Sequence, residues 1–212
     1  SNNFFSAIPP PVFALTHLRE LICTEGSLES VGPEIARLAQ LRHLNLSTNR
    51  SLNVISPAIG QLTQLEILNL KYCGLRTLPS ETGLARNLRA LHLSDAAIEN
   101  LPPSLIQLQR LESLSLATMP HLNWERSFPT ICRLTSLRYL NLAGNDLREL
   151  PGCIGQLKQL TELDLSQNDL VRLPPEIAEL KSLKVLHLHK NKKLSETARL
   201  QIQKWLPQCE LR

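Results

Sequence analysis

The motif L-x-x-L-x-L-x-x-N-x-L returns eight times along the chain, starting at Leu18, Leu41, Leu65, Leu88, Leu111, Leu137, Leu160 and Leu183. Successive starts lie 23, 24, 23, 23, 26, 23 and 23 residues apart. A repeat of roughly 20–29 residues with leucines at these offsets builds one short parallel strand per unit. Such a unit cannot bury its own apolar side, so it is stable only when neighbours stack on it. The 212 residues are therefore expected to form one elongated solenoid.

Between the leucine motifs runs a second pattern, L-P-x-x-I-x-x-L, at Leu101–Leu108, Leu150–Leu157 and Leu173–Leu180. Apolar residues at i, i+4 and i+7 predict a short helical or 3₁₀ segment, and proline suits its first turn, where a missing N–H leaves nothing unpaired. The expected fold is an α/β leucine-rich repeat solenoid, with a curved parallel sheet on the concave face and short helical segments on the convex face. Residues 1–17 read as a partial N-terminal repeat, because Asn3, Phe5, Ile8, Pro9, Val12 and Leu15 resemble the latter half of a unit whose strand is missing. This predicts either a chain that begins inside a longer protein or a first strand that has degenerated. Residues 18–194 read as eight repeats and 195–212 as a helical cap. In the cap Ser195 is the N-cap, Ala198, Ile202, Trp205 and Leu206 share one face, and Cys209–Leu211 can add a last strand.

Asparagine at the ninth motif position normally bonds buried backbone groups. It is present at Asn49, Asn145, Asn168 and Asn191, whereas Gly26, Cys73, Ala96 and Met119 depart from it. The 26-residue repeat follows Met119 and carries an insertion from His121 to Phe128. The irregular centre reads either as tolerated drift or as a local change of curvature that exposes Trp124 on a loop as a contact residue.

No stretch reaches the ~18 apolar residues of a membrane span, and the N-terminus lacks the basic-then-apolar pattern of a signal segment. A net charge of +4 does not point to nucleic acid. The five cysteines, Cys23, Cys73, Cys132, Cys153 and Cys209, are odd in number and scattered over different repeats. They are read as reduced structural thiols of a cytosolic protein. Asn45-Leu46-Ser47 and Asn49-Arg50-Ser51 match the N-glycosylation pattern, but Asn49 is a ladder residue with no freedom to carry a sugar. That too favours a cytosolic chain.

Strand alternation sends motif positions four and six into the core and positions three, five and seven outward, with the eighth at the rim. Stacking the outward positions places Ala90, Ser94, Ser113, Ser115, Ala117, Ala143 and Gly144 on the floor of a trough across the middle repeats. Lys71 and Tyr72 stand on one side of it, Tyr139 and Asn141 on the other. Two aromatic anchors beside a floor of small groups suit a partner protein, since tyrosine buries a large area at small entropic cost. The candidate contact residues are His43, Asn45, Ile67, Asn69, Lys71, Tyr72, His92, Asp95, Ser115, Tyr139, Asn141 and Asp164.

Two chemical constellations compete with this binding reading. His187, His189 and Asp164 could offer three donors to a metal, but no fourth ligand is evident. Ser166, His189 and Asp164 imitate a hydrolase triad on an open sheet without an oxyanion hole. The chain is accordingly expected to be no enzyme, to hold no metal or cofactor, and to bind a protein as a monomer. Neither nucleic acid nor membrane is an expected partner. The lysines and histidines from His187 to Lys193 read as a solvated end that balances Glu162, Asp164 and Asp169.

From Ile8 to Leu194 the repeat, clearest between Leu137 and Leu183, resembles the 23-residue intracellular repeats of Ras-group leucine-rich repeat proteins and of effectors that bacteria inject into host cells. The ending Leu194-Ser195, then Leu206-Pro207-x-Cys209, is similar to the caps of bacterial members. Fifteen arginines against eight lysines lean the same way. The effector resemblance implies a host-protein recognition module in the host cytosol, with catalysis such as ubiquitin transfer in a separate domain. The Ras-group resemblance implies instead a signalling scaffold without catalysis. The shorter 20-residue repeats of one effector ligase group do not match.

Overall fold

The computed structural model describes residues 5–212. Eleven strands are present: β1 (Glu20–Ile22), β2 (Ser30–Val31), β3 (His43–Asn45), β4 (Val54–Ile55), β5 (Ile67–Asn69), β6 (Ala90–His92), β7 (Ser113–Ser115), β8 (Tyr139–Asn141), β9 (Glu162–Asp164), β10 (Val185–His187) and β11 (Glu210–Leu211). Nine of them form one parallel sheet in the order β1-β3-β5-β6-β7-β8-β9-β10-β11, while β2 and β4 pair separately. Each main strand from β1 to β10 spans motif positions three to five of its repeat. Its central leucine is buried and its neighbours face outward. Leucines at positions one, four and six fill a continuous core in which Leu44, Leu68, Leu91, Leu114, Leu140, Leu163 and Leu186 are fully buried.

Opposite the sheet stand seven five-residue 3₁₀ segments, among them Pro57–Gln61, Ser80–Leu84 and Pro103–Gln107. Their closing bonds run from i+3 to i, as from Leu62 N to Ile59 O at 3.2 Å. The expected helical pattern therefore closes as 3₁₀, the tighter turn that short segments favour. Neighbouring segments pack so closely that a Cβ on Gly60 would collide with the Glu81 carbonyl, and one on Gly83 with that of Ser104. In a solenoid of this type the strands, about 4.8 Å apart, are the more closely spaced layer, so the sheet lies on the inner side of the curve.

The ladder is built where asparagine is present. Asn168 accepts from Leu147 N at 3.0 Å and donates to the carbonyls of Leu142 and Leu165 at 2.9 and 3.0 Å. Asn49, Asn145 and Asn191 repeat this pattern. Cys73 keeps only thiol contacts, to Leu46 O at 3.3 Å and to Lys71 O at 3.6 Å. Ala96 and Met119 have no side-chain donor or acceptor of this kind, so the ladder lapses for three consecutive repeats.

The 26-residue repeat departs from the loop reading. Trp124–Ile131 forms an eight-residue helix, α1, whose N-cap Asn123 accepts from Arg126 N at 3.0 Å. Trp124 is half-buried, packs on Phe128 with ring centroids 5.4 Å apart, and leans on the core. The extra residues lengthen a 3₁₀ turn into an α-turn, and apolar burial draws the indole inward. Trp124 is thus part of the convex packing and not an exposed contact.

The reading of five reduced thiols is also corrected. Cys132, the C-cap of α1, forms a disulfide with Cys153 in the 3₁₀ segment of the next repeat, with Cα atoms 5.7 Å apart. Positions 21 residues apart in sequence become neighbours because the solenoid stacks one repeat on the next. Cys23, Cys73 and Cys209 are free. Burial pushes the thiols of Cys73 and Cys209 up to about 11.

At the far end Ser195 Oγ accepts from Ala198 N at 3.2 Å and opens α2 (Glu196–Trp205). Ile202 and Leu206 are buried beneath it, and β11 pairs with β10. At the near end Ile8 and Phe13 are buried, while Phe5 and Leu15 are exposed. Asn3 lies outside the described residues. No described helix is long and apolar enough to cross a membrane.

Candidate protein-binding face

Strand register assembles the face residue by residue. Glu20, His43, Ile67, Ala90, Ser113, Tyr139, Glu162 and Val185 stand in one line across the sheet; Ile22, Asn45, Asn69, His92, Ser115, Asn141, Asp164 and His187 stand in the next. The second line has a local role that periodicity alone does not reveal. Asn45, Asn69, Asn141 and Asp164 each accept, through Oδ1, the backbone N–H two residues on, at 2.9 to 3.2 Å. This Asx bond holds the chain as it leaves each strand. His92 and Ser115 interrupt the series. Ser94 and Ser115 compensate with an Oγ–Oγ hydrogen bond of 2.7 Å, and Ser94 Oγ also accepts from Ala117 N at 3.0 Å. His92 Nδ1 is buried without a partner. Burial, and secondly the Lys71 charge, holds its pKa below the ordinary value.

The eighth motif position turns the chain through the left-handed region in every repeat. Glu25, Thr48, Tyr72, Asp95, Thr118, Gln167 and Lys190 have φ between 52° and 62°, and Gly144 has φ 67°. The turn tips these side chains onto the rim beside the sheet. Tyr72 is 45% exposed there.

A hollow of about 370 Å³ opens over the middle repeats. Of the expected small floor Ser94, Ser115, Ala117, Ala143 and Gly144 line it and Ala90 and Ser113 do not, while Lys71, Tyr72, Asp95, Asn141 and Asp164 rise around it. Half of the twelve candidate contact residues are thus brought together. Ser115 is floor only, 3% exposed with its hydroxyl engaged. His43, Asn45, Ile67, Asn69 and His92 lie on the same sheet but outside the hollow. Tyr139 also lies outside it, one line further across, with its hydroxyl accepting from Asn141 Nδ2 at 3.2 Å. Burial raises the Tyr139 pKa; the Asn141 bond opposes this, and the charges of Asp164 and Glu162 add to it. Thr118, Ser166, Gln167 and His189 join the lining, and the outward alternation of positions seven and eight was the signal that could have included them.

A second cavity of about 310 Å³ adjoins the first at the rim and shares Tyr72 and Asp95 with it. It lies beside Cys73 and Ala96, where the ladder lapses. Asp95 is in no ion pair among the described residues, and burial raises its pKa against the opposing charges of Arg50 and Lys71.

The metal constellation does not assemble, and the hydrolase-like set lines the hollow with a buried serine. His187 Nε2 lies 3.1 Å from Glu162 Oε1, and no group of three metal-ligating side chains gathers among the described residues. Ser166 is 2% exposed, and Asp164 Oδ1 is taken by the Ser166 backbone N–H at 2.9 Å.

Two family descriptions match the chain: "Leucine-rich repeat region" over residues 114–204 and "Leucine rich repeat" over residues 16–75. Among solved structures, a leucine-rich repeat protein of Leptospira interrogans superposes with a TM-score of 0.87 at 36% identity, over 97% of this chain and 51% of that one. The chain thus spans about half the length of that relative. No curated protein matches. Repeat period, parallel register, asparagine ladder and these likenesses agree: the chain belongs to the leucine-rich repeat family, whose domains generally serve as protein–protein interaction modules.

Proposed function

We propose that this chain is a protein-recognition module that holds its partner on the concave sheet face around Tyr72, Asp95, Asn141 and Asp164. The observation that carries the reading is the hollow of about 370 Å³, floored by small side chains and edged by an exposed tyrosine. A floor of serine, alanine and glycine lets a partner's backbone approach closely, and Tyr72 supplies a rigid aromatic contact at the edge. Tyr139, one line away, extends the contact across the sheet. His43, Asn45, Ile67, Asn69, Lys71 and His92 continue the same face toward the N-terminal repeats.

A narrower reading makes the chain the target-binding part of a bacterial effector, with chemistry in another domain. The 36% identity to a Leptospira protein supports a bacterial kinship. The Cys132–Cys153 disulfide favours folding in an oxidising compartment over life in a reducing cytosol. The disulfide counts equally against the host-cytosol location of an injected effector and against a cytosolic Ras-group scaffold, so only the bacterial kinship separates the two readings.

The test is affinity capture from cell lysate with the wild-type chain and with a Tyr72→Ala, Tyr139→Ala variant whose circular dichroism is unchanged. The partner captured by the wild type should bind the variant at least about tenfold more weakly, the size expected when aromatic anchors are removed. Equal affinity for both would take the partner off this face.

A further inference from the structure

The rim on the other side of the sheet, where the chain enters the strands, has a different chemistry. The second motif position carries Arg19, Arg42, Glu66, Arg89, Glu112, Arg138, Thr161 and Lys184, five cations against two carboxylates. Each residue immediately precedes its strand, so the parallel register sets them side by side about 4.8 Å apart. Two ion pairs form along this line, Arg42 with Glu66 at 2.9 Å and Arg89 with Glu112 at 3.1 Å. Arg19, Arg138 and Lys184 have no acidic partner among the described residues.

The line deepens into a cleft of about 410 Å³ beside β6, β7 and β8, lined by Arg89, Arg110, Glu112, Ser136 and Arg138 with two glutamines. Arg110 is braced by the Asn87 side chain at 2.7 Å. Ser136 opens the space, because its short side chain folds back onto Leu111 O at 2.8 Å, while the equivalent positions on either side carry Arg110 and Gln159. Three guanidiniums thus share one hollow with a single carboxylate, and that carboxylate is already engaged. The fold does not require arginine here, since Thr161 occupies the same motif position in a well-formed repeat.

We infer that this cleft is a docking site for an acidic peptide segment, a run of Asp or Glu side chains on a partner protein. Guanidinium groups bind carboxylates in paired hydrogen bonds, and three of them around one hollow suit the acidic side chains of an extended segment. No aromatic side chain lines the cleft, so it offers no platform for stacking nucleic-acid bases. The inference stands apart from the concave-face reading and involves none of its residues.

The experiment is fluorescence anisotropy with a labelled oligoglutamate peptide as probe and an oligoglutamine peptide of equal length as its control. The wild-type chain should bind oligoglutamate saturably and oligoglutamine not at all, and the affinity should fall as salt is raised. An Arg89→Gln, Arg138→Gln variant should lose at least about tenfold in affinity. An Arg126→Gln, Arg133→Gln variant, which removes the same charge from the α1 side, should bind as the wild type does. So should the Tyr72→Ala, Tyr139→Ala variant. Equal weakening by both arginine pairs would overturn the site in favour of diffuse net charge. A single-stranded RNA of equal charge that displaced the peptide at lower concentration would overturn the assignment to a protein partner, and so would the absence of saturable binding.

Discussion

His92 is the residue where the local rules of this fold are most visibly broken. Four of its counterparts accept the N–H two residues ahead, while its own Nδ1 is buried and unbonded. The fold favours the neutral ring. Below the ordinary value of 6.5 the unfolded chain takes up the proton more readily than the native one. Stability is therefore present above that value and falls as pH drops toward the lowered native pKa. Replacing His92 by Asn should restore the bond to Ser94 N, raise stability by about 1 kcal/mol, and flatten this acid limb. Urea titrations at about pH 5 and about pH 7.5 would measure both effects; a variant with the wild-type slope would acquit the imidazole. The left-handed eighth position shows the same dependence on context. Nothing about Thr48, Tyr72 or Thr118 as residue types suggests a positive φ, and only the need to turn off the sheet imposes it.

Among elements, the middle repeats combine the lapsed ladder, the rim cavity and the inserted helix. Leu75 N is the counterpart of Leu147 N, which Asn168 satisfies from the following repeat. Ala96 stands where that asparagine would be. An Ala96→Asn variant should let the new amide accept from Leu75 N and donate toward Leu70 O and Leu93 O, gaining about 1 kcal/mol. A lower denaturation midpoint would mean that the site has closed around alanine and cannot admit an amide. Strand positions, 3₁₀ segments and the capping helix with its Ser195 N-cap were legible from leucine spacing and proline placement. Helix α1 was not, because an eight-residue insertion with few apolar residues reads as a loop until Phe128 and Ile131 are seen to meet the core. The binding face was half legible. Alternation ordered its columns, but the hollow forms around Tyr72 and omits Tyr139, whose hydroxyl is drawn to Asn141.

On the scale of the whole molecule, stability is shared along the solenoid axis, and the Cys132–Cys153 disulfide crosses between two repeats. Cross-links of this span typically contribute about 3 kcal/mol by restricting the unfolded chain. A Cys132→Ser, Cys153→Ser variant should lose about that much in chemical denaturation. Mass spectrometry after alkylation in denaturant should find three modified cysteines before reduction and five after it. Five without reduction would show that the pair is not bonded. The architecture itself needs none of these details: a leucine every few positions with a period near 23 admits only a stacked parallel sheet, because no single repeat can bury its own apolar side. Contacts between repeats are of another kind. The cysteine pairing, the hollow beside Tyr72 and the arginine cleft each join residues about one period or more apart. Their geometry depends on which side chains meet across a 4.8 Å strand step, and that is settled only when the neighbours are packed.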